Sequence, residues 1–478
     1  MILIIAAILR FWRIESLTTF GGDQGYDFLI VKRMIVDGKL TLLGPKLGPY
    51  SNIANVYLGP AYYYLIAPFL LLFRFDPIGP AILMVLLSLA TILMIYLIGM
   101  NFFSKMIAIL ASSLYAFNAT FIDQSRIALN PLPIPFFSSI LIFSVFKVFF
   151  SKSSSLLWPI LMGLSIGVLF QLHYLAISFI PPLLIILVIF KNLKKLALSL
   201  ISFLIAVSPQ VLFELRHQFF ITNQLIKRIS QGNDLSSPAS FSTQVGRSIQ
   251  LISKIFLNIE ISIPVAVLLL ITLILIYVNR QKEKRSILFL LLLVISNVIF
   301  ASLYSADLQL HYFVSVYASL VLLISIAFFW MFNFFKNFLV KTLLLILLAQ
   351  IFASNIANLN LSSPEGYTMP KGWNLKGVKK ASAIIAADAG PSKFNIAATL
   401  DGDTRARPYR YLVEVAGKIP EDVERYPTSD VLYLVARDED EVIKRYTVWE
   451  VASFAPFKID KKWEIQNGIK LYKLVKTD

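Results

Sequence analysis

Runs of apolar residues alternate with short polar stretches over most of the chain. They fall at residues 1–12, 56–73, 81–100, 107–121, 132–150, 156–170, 175–190, 196–213, 263–278, 287–304, 313–335 and 338–352. A helix needs about 20 such residues to cross hydrocarbon, or fewer where flanking side chains snorkel. The stretch 156–190 is too long for one span, and Gln171-Leu-His-Tyr174 interrupts it, which predicts a hairpin of two helices. The first run lacks a small-residue cleavage site, so a retained span is expected there rather than a signal peptide. Beyond Ala357 the runs stop. Short alternating stretches then predict strands at 395–399, 431–436 and 470–476 and helices at 376–387 and 438–449. The fold class that follows is an all-α polytopic membrane part of about 11–12 transmembrane helices, covering residues 1–355 with a first outer loop at 14–55. A small C-terminal α/β extracytoplasmic domain covers 356–478.

Composition agrees and narrows the class. The 478 residues are 57% hydrophobic and 15% charged, with a mean hydropathy of +0.72. Soluble domains run near about 45–50% and about 25%. Zero cysteines exclude a disulfide scaffold. Residues 1–356 hold 25 Lys and Arg against 11 Asp and Glu, whereas residues 357–478 hold 19 against 17. The basic excess thus belongs to loops between spans, where it orients helices and meets anionic headgroups. It is scattered, which argues against nucleic acid as a partner and for membrane lipids.

Clustered positives set the sidedness. Lys147 with Lys152, Lys191 with Lys194 and Lys195, Arg280 with Lys282, Lys284 and Arg285, and Lys336 with Lys341 mark cytoplasmic turns. His173, the segments 123–131, 214–262 and 305–311, and the C-terminal domain are then outside, at the plasma or inner membrane. If the first loop is also outside, the three runs between 56 and 121 must supply an even number of crossings. Either one of them is re-entrant or peripheral, or the side assignment fails in this stretch.

Eight of the 11 acids of the membrane part fall in outer segments: Asp23, Asp27, Asp37, Asp123, Glu214, Asp234, Glu260 and Asp307. Ionisable groups near membrane depth are costly and point to function. The first cluster is Gly21-Gly-Asp-Gln-Gly-Tyr-Asp27. It opens a stretch in which Phe28, Val31, Met34 and Ile35 share one helical face, with Asp27, Arg33 and Asp37 off it. That predicts a helix lying in the interface. Asp23 stands at or near its N-terminus, as a cap or as a catalytic carboxylate kept ionised by the helix dipole.

The second cluster sets Asp123, Arg126 and Asn130 three and four apart, on one face if helical. Arg126 can grip a phosphate with its fork of donors, or pair with Asp123 and orient the loop. The third is a pair of Gln-Leu-His-Tyr sites, ending at Tyr174 and Tyr312, which carry two of the three histidines, His173 and His311. These can bind phosphate or serve as hydrogen-bonded structural residues. With no Cys and no close His pair, zinc is disfavoured. In the C-terminal domain, the turn 400–407 with Asp401, Asp403, Arg405 and Arg407 reads as a solvated loop.

An acid in the first outer loop, then an interfacial helix, then Gly59-Pro-Ala-Tyr-Tyr-Tyr-Leu-Ile-Ala-Pro68 opening the next run, resembles the GT-C membrane glycosyltransferases. The branch is that of the protein-mannosyltransferases and aminoarabinose transferases. Ser125-Arg-Ile-Ala-Leu-Asn-Pro131 resembles their second outer-loop motif, and His311-Tyr-Phe sits where many relatives have Arg-Tyr. The resemblance covers residues 1–355 and aligns Asp23 with the catalytic Asp. Gln24 stands where Glu is frequent, Asn130 where some relatives have a metal-associated Asp, and Gly59 closest to where some carry a Lys.

The resemblance implies an enzyme that moves a sugar, hexosyl or pentosyl, from a polyprenyl-phosphate carrier to a glycan, lipid or protein acceptor on the outer face. Asp23 would act as general base with inversion. Arg126, His173 and His311 would steady the leaving phosphate, and Tyr26, Asp27, Asp123, Asn130 and Tyr312 would contact substrate. No cofactor is required by this reading, and a divalent metal is left open. Two readings from other classes stand beside it, a lipid-linked sugar flippase or transporter and a non-catalytic assembly subunit, and within the enzyme reading an envelope-glycan polymerase or ligase is the nearest competitor. A transporter should show repeat halves or acids buried in mid-span, and most acids here lie outside spans.

Overall fold

The computed structural model describes residues 1–47, 56–190, 193–230, 239–257, 283–304, 307–362, 370, 372–400 and 402–477. The apolar run 263–278, the acids Asp234, Glu260 and Asp401, and the cations Lys191, Arg280 and Lys282 lie outside the described residues. Among them five helices are long and apolar enough to cross a membrane: Ile78–Phe102, Leu193–Arg216, Lys284–Ser302, Leu310–Phe334 and Phe338–Ala357. Six shorter apolar helices accompany them: Ile2–Phe11, Ala61–Leu72, Lys105–Ala116, Ile134–Phe150, Leu157–Leu172 and Tyr174–Ile189. The chain is an integral membrane protein.

The expected hairpin is present. Leu157–Leu172 ends on an extended His173, and a 3-10 turn over Tyr174–Phe179 restarts the chain into Ile180–Phe190. Leu157–Leu172 packs against Leu193–Arg216 through small residues. A Cβ on Gly163 would lie 2.0 Å from the Ser199 carbonyl oxygen, and one on Gly167 2.5 Å from the Ala206 methyl. Backbones approach this closely in lipid because dispersion, rather than expulsion of water, holds spans together. In the first span Arg10 is fully buried yet satisfied, donating to Ser88 Oγ at 3.0 Å and to the Ala116 carbonyl at 2.9 Å.

The odd crossing between residues 56 and 121 is explained by Ala61–Leu72. Its 12 residues reach about 18 Å at 1.5 Å per residue, short of a hydrocarbon core of about 30 Å. Both its ends lie against the same side of the molecule. Near its start Tyr63 meets the first-loop helix, while after its end the Phe75 carbonyl accepts from Tyr411 and Asp76 pairs with Lys379, both in the C-terminal domain. Left-handed Arg74 and Phe75 (φ 53° and 64°) turn the chain there. Ile78–Phe102 then runs away from that side, and Lys105–Ala116 with Ala119–Gln124 returns to it.

The C-terminal domain is a four-stranded sheet in the order β1-β2-β4-β3. Its strands are β1 (Phe394–Ala398), β2 (Val431–Ala436), β3 (Phe457–Gln466) and β4 (Ile469–Lys476). β1 and β2 are parallel and the other pairs antiparallel. Three strands and the Leu375–Asp388 helix match expectation; β3 does not. Its sequence hides its period, because register shifts at Ile459/Lys461 and Glu464/Gln466 break the alternation. The helix expected over 438–449 reduces to two single turns, Asp440–Ile443 and Trp449–Ala452. The turn 400–407 is also corrected. Asp403 and Arg407 are buried rather than solvated, because the helix they open, Arg407–Val415, docks on the membrane part.

Candidate active site

The site is built on the first-loop helix, Gly22–Val36. Gly21 caps it: its backbone N–H donates to Gln24 Oε1 at 2.8 Å. Asp23 is thus not the cap but lies within the first turn, exposed, where the helix dipole favours its carboxylate. Phe28, Val31 and Met34 turn inward as expected, and so does Asp27, against expectation. Burial pushes the Asp27 carboxyl well above its ordinary value, opposed by the hydroxyl of Tyr63, which donates to it at 2.8 Å, and by Arg407.

The three consecutive tyrosines that open Ala61–Leu72 explain how the loops converge. Successive helical side chains point about 100° apart, so each reaches a different partner. Tyr62 donates to the Ala128 carbonyl at 2.6 Å, Tyr63 to Asp27, and Tyr64 to the Thr41 carbonyl at 2.7 Å. The end of the first loop is held against the same region by an isolated bridge between Lys46 and Tyr57. The Tyr57 carbonyl in turn accepts from Tyr174 at 2.5 Å.

Tyr63 also faces a cavity of about 690 Å³, lined further by Tyr57, Thr41, Phe213, Arg216 and His217. That volume falls in the range of about 300–1,000 Å³ usual for small-molecule sites. Its basic wall is a fixed corner. Gln218 and Phe219 adopt left-handed φ of 54° and 59°, ending Leu193–Arg216. Glu214 caps the next helix, Phe220–Ser230, accepting from the Ile221 and Thr222 N–H groups at 2.8 and 3.0 Å. The His217 ring stacks on Phe213 at 4.1 Å. Arg216 is exposed and has no hydrogen-bond or ion-pair partner among the described residues.

The other sequence candidates are brought close but are engaged in the scaffold. Arg126 is buried and donates to the Leu9 carbonyl at 2.6 Å, the Arg10 carbonyl at 3.3 Å and Asp123 at 3.3 Å. Asn130 donates to the Leu172 carbonyl at 2.8 Å, tying the second outer-loop motif to the hairpin. The two Gln-Leu-His-Tyr sites do meet. The His173 and His311 rings lie 5.7 Å apart, with Tyr312 4.7 Å from His311 and 5.7 Å from His173. His173 Nδ1 accepts from the Leu175 N–H at 3.2 Å. Burial and the neighbouring His311 pull its pKa down to about 3, so it is uncharged at neutral pH. Among the described residues no three His, Asp or Glu side chains are grouped to hold a metal ion.

Sequence reasoning gave Tyr63 no individual role, placed Arg407 in a solvated loop and did not single out Arg216. The Tyr-Tyr-Tyr run was visible as a motif, but which hydroxyl meets an acid depends on helix rotation. Arg216 carried no signal beyond its place at the end of a span.

Residues 58–213 match the family model described as dolichyl-phosphate-mannose-protein mannosyltransferase. No curated protein matches the chain. Among solved structures, ArnT from Cupriavidus metallidurans bound to undecaprenyl phosphate is similar with a TM-score of 0.65 at 13% identity, over 99% of this chain and 97% of that one. The oligosaccharyltransferase of Archaeoglobus fulgidus is similar with a TM-score of 0.52 at 14% identity, over 95% of this chain and 69% of that one. The likeness to ArnT runs through the C-terminal domain as well as the membrane part. The resemblance drawn from the loop motifs therefore holds at the level of fold: the chain has the GT-C fold of ArnT, and residues 58–213 carry the similarity to the mannosyltransferase family model.

Proposed function

We propose that the protein transfers a sugar from a polyprenyl-phosphate carrier to an acceptor hydroxyl or amine on the outer face, with Asp23 as general base. The observation that carries this reading is the position of Tyr63. It lines the cavity that Arg216 and His217 wall, and it donates to Asp27, one helical turn after Asp23. A cationic pocket for a phosphate is thus joined through Tyr63 to the helix that carries an exposed carboxylate for an acceptor proton. ArnT, which has this fold, was solved with undecaprenyl phosphate bound.

In the reaction the acceptor gives its proton to the Asp23 carboxylate as its heteroatom attacks the anomeric carbon. The bond from that carbon to the phosphate oxygen breaks, its electron pair leaves on the polyprenyl phosphate, and the configuration inverts. Arg216 offers the departing phosphate a fork of donors that no other described side chain uses. Arg126 and Asn130 hold the second outer loop in place, and the His173–His311 pair packs behind it.

Radiolabelled transfer from a panel of polyprenyl-phosphate sugars tests this, with a chelator arm to read any metal requirement. Asp23→Asn should lose about 10²- to 10⁴-fold in rate. Arg216→Ala should lower kcat about 10²-fold, because the charge it meets grows as the phosphate departs. A folded Asp23→Asn protein that transfers sugar at the wild-type rate sinks the reading.

A further inference from the structure

The C-terminal domain does more than sit beside the site; it inserts into it. The Arg407–Val415 helix packs directly on Gly22–Val36 at Gly25. A Cβ on Gly25 would fall 2.4 Å from Pro408 N and 2.6 Å from Arg407 C, so only glycine permits this approach. The contact puts Arg407, which is buried, over the ring of Tyr26, its guanidinium carbon 4.8 Å from the ring centroid. Tyr26 stands between Asp23 and Asp27 in sequence, on the turn that joins them.

The root of Arg407 is itself fixed. Its backbone N–H donates to Asp403 Oδ2 at 2.9 Å, and its guanidinium lies 3.9 Å from Asp403 Oδ1. Around this point the domain is clamped to the first loop by several contacts. The Asn374 side chain donates to the Ser16 carbonyl at 2.9 Å, and the Leu375 N–H to the Thr18 carbonyl at 2.8 Å. Arg33 pairs with Glu414 at 2.8 Å, and Phe20, Phe28 and Tyr411 form a triangle of rings 5.3–5.8 Å apart.

We propose that Arg407 is a positioning residue of the transfer site, supplied by the C-terminal domain, which orients Tyr26 and sets a positive charge beside the turn that carries Asp23 and Asp27. The site is then complete only with that domain docked. The inference rests on Asp23 being the base.

The charged and titratable groups around the first two turns of the helix support it. Asp23, Tyr26 and Asp27 lie on the helix; Tyr57, Tyr62 and Tyr63 come from the chain leading into and opening Ala61–Leu72; Asp403 and Arg407 come from the C-terminal domain. Within that set Arg407 is the cation. Two carboxylates one turn apart oppose each other's ionisation, and a guanidinium beside them offsets this. A lysine would keep the charge but not the planar stacking on Tyr26.

The test is the pH–rate profile of transfer by full-length protein, with Asp23→Asn run in parallel. Arg407→Ala should move the acid limb of kcat/KM upward by about one pH unit, with KM for the polyprenyl-phosphate sugar unchanged. Arg407→Lys should leave the limb in place and lower kcat. Resistance of the C-terminal domain to limited proteolysis reports docking. If Arg407→Ala releases the domain, Arg407→Gln, which removes the charge but keeps the aliphatic stem and a planar polar end, carries the same comparison. A limb that stays put while Asp23→Asn is inactive overturns the inference and leaves the base assignment standing. An active Asp23→Asn protein overturns both.

Discussion

Replacing Gly25 by alanine tests whether the two domains form one working unit. The added methyl would meet Pro408 N at 2.4 Å, Arg407 C at 2.6 Å and Pro408 Cα at 2.8 Å, whereas ordinary contact begins near 3.4 Å. All three atoms are backbone, so no rotamer change relieves the clash. The Arg407–Val415 helix must retreat by about 1 Å or the first-loop helix must bend; overpacking of this kind costs about 1–3 kcal/mol. That cost falls on the docking equilibrium, because neither helix is disturbed internally. It raises the undocked population roughly 5- to 150-fold.

Limited proteolysis in detergent or nanodiscs should therefore release the C-terminal domain faster. Transfer should drop by up to about 10²-fold, since a 1 Å misplacement at a catalytic group costs that much. Gly390→Ala serves as control: nothing lies within 4 Å of the Cβ it would add. Wild-type protease resistance together with wild-type transfer in Gly25→Ala would refute the argument, showing that the contact yields without consequence.

Two further outcomes are expected. Arg126→Ala should destabilise the protein by about 3 kcal/mol, because it strips buried donors from the Leu9 and Arg10 carbonyls and orphans the second outer loop; a thermal melt reads this, and a variant that melts like wild type removes the bracing role. Asp27 makes a pH prediction. Burial holds its folded-state pKa above the unfolded value of about 3.9, so the folded state keeps the proton longer. Stability then falls as pH rises from about 4 through the folded-state pKa. Asp27→Asn should lack this slope and be the more stable protein at neutral pH, as melting temperatures from pH 4 to 8 would show. An unchanged slope would contradict the burial argument.

The candidate site was legible in part, as residue types in order. Asp23 at the head of an interfacial helix, the tyrosine run after Gly59 and the second outer-loop motif could be read directly, because each is a local signal. Roles were less legible. Arg126 had the chemistry of a phosphate ligand, and only its neighbours reveal that backbone carbonyls take its donors. Asp27 lay off the apolar face by helical periodicity, yet Tyr63 and the docked C-terminal helix enclose it.

What the sequence determined by itself is the division into an apolar helical part and a C-terminal sheet domain, the positions of the apolar helices and the loops that carry acids. These follow from apolar area and periodicity, properties of each segment alone. Tertiary structure decided that Ala61–Leu72 begins and ends on one side, that two distant histidines meet, and that Arg407 reaches Tyr26 across 381 positions of chain. Such pairings depend on how helices rotate and on where a glycine lets two backbones touch. No segment encodes that geometry without its partner.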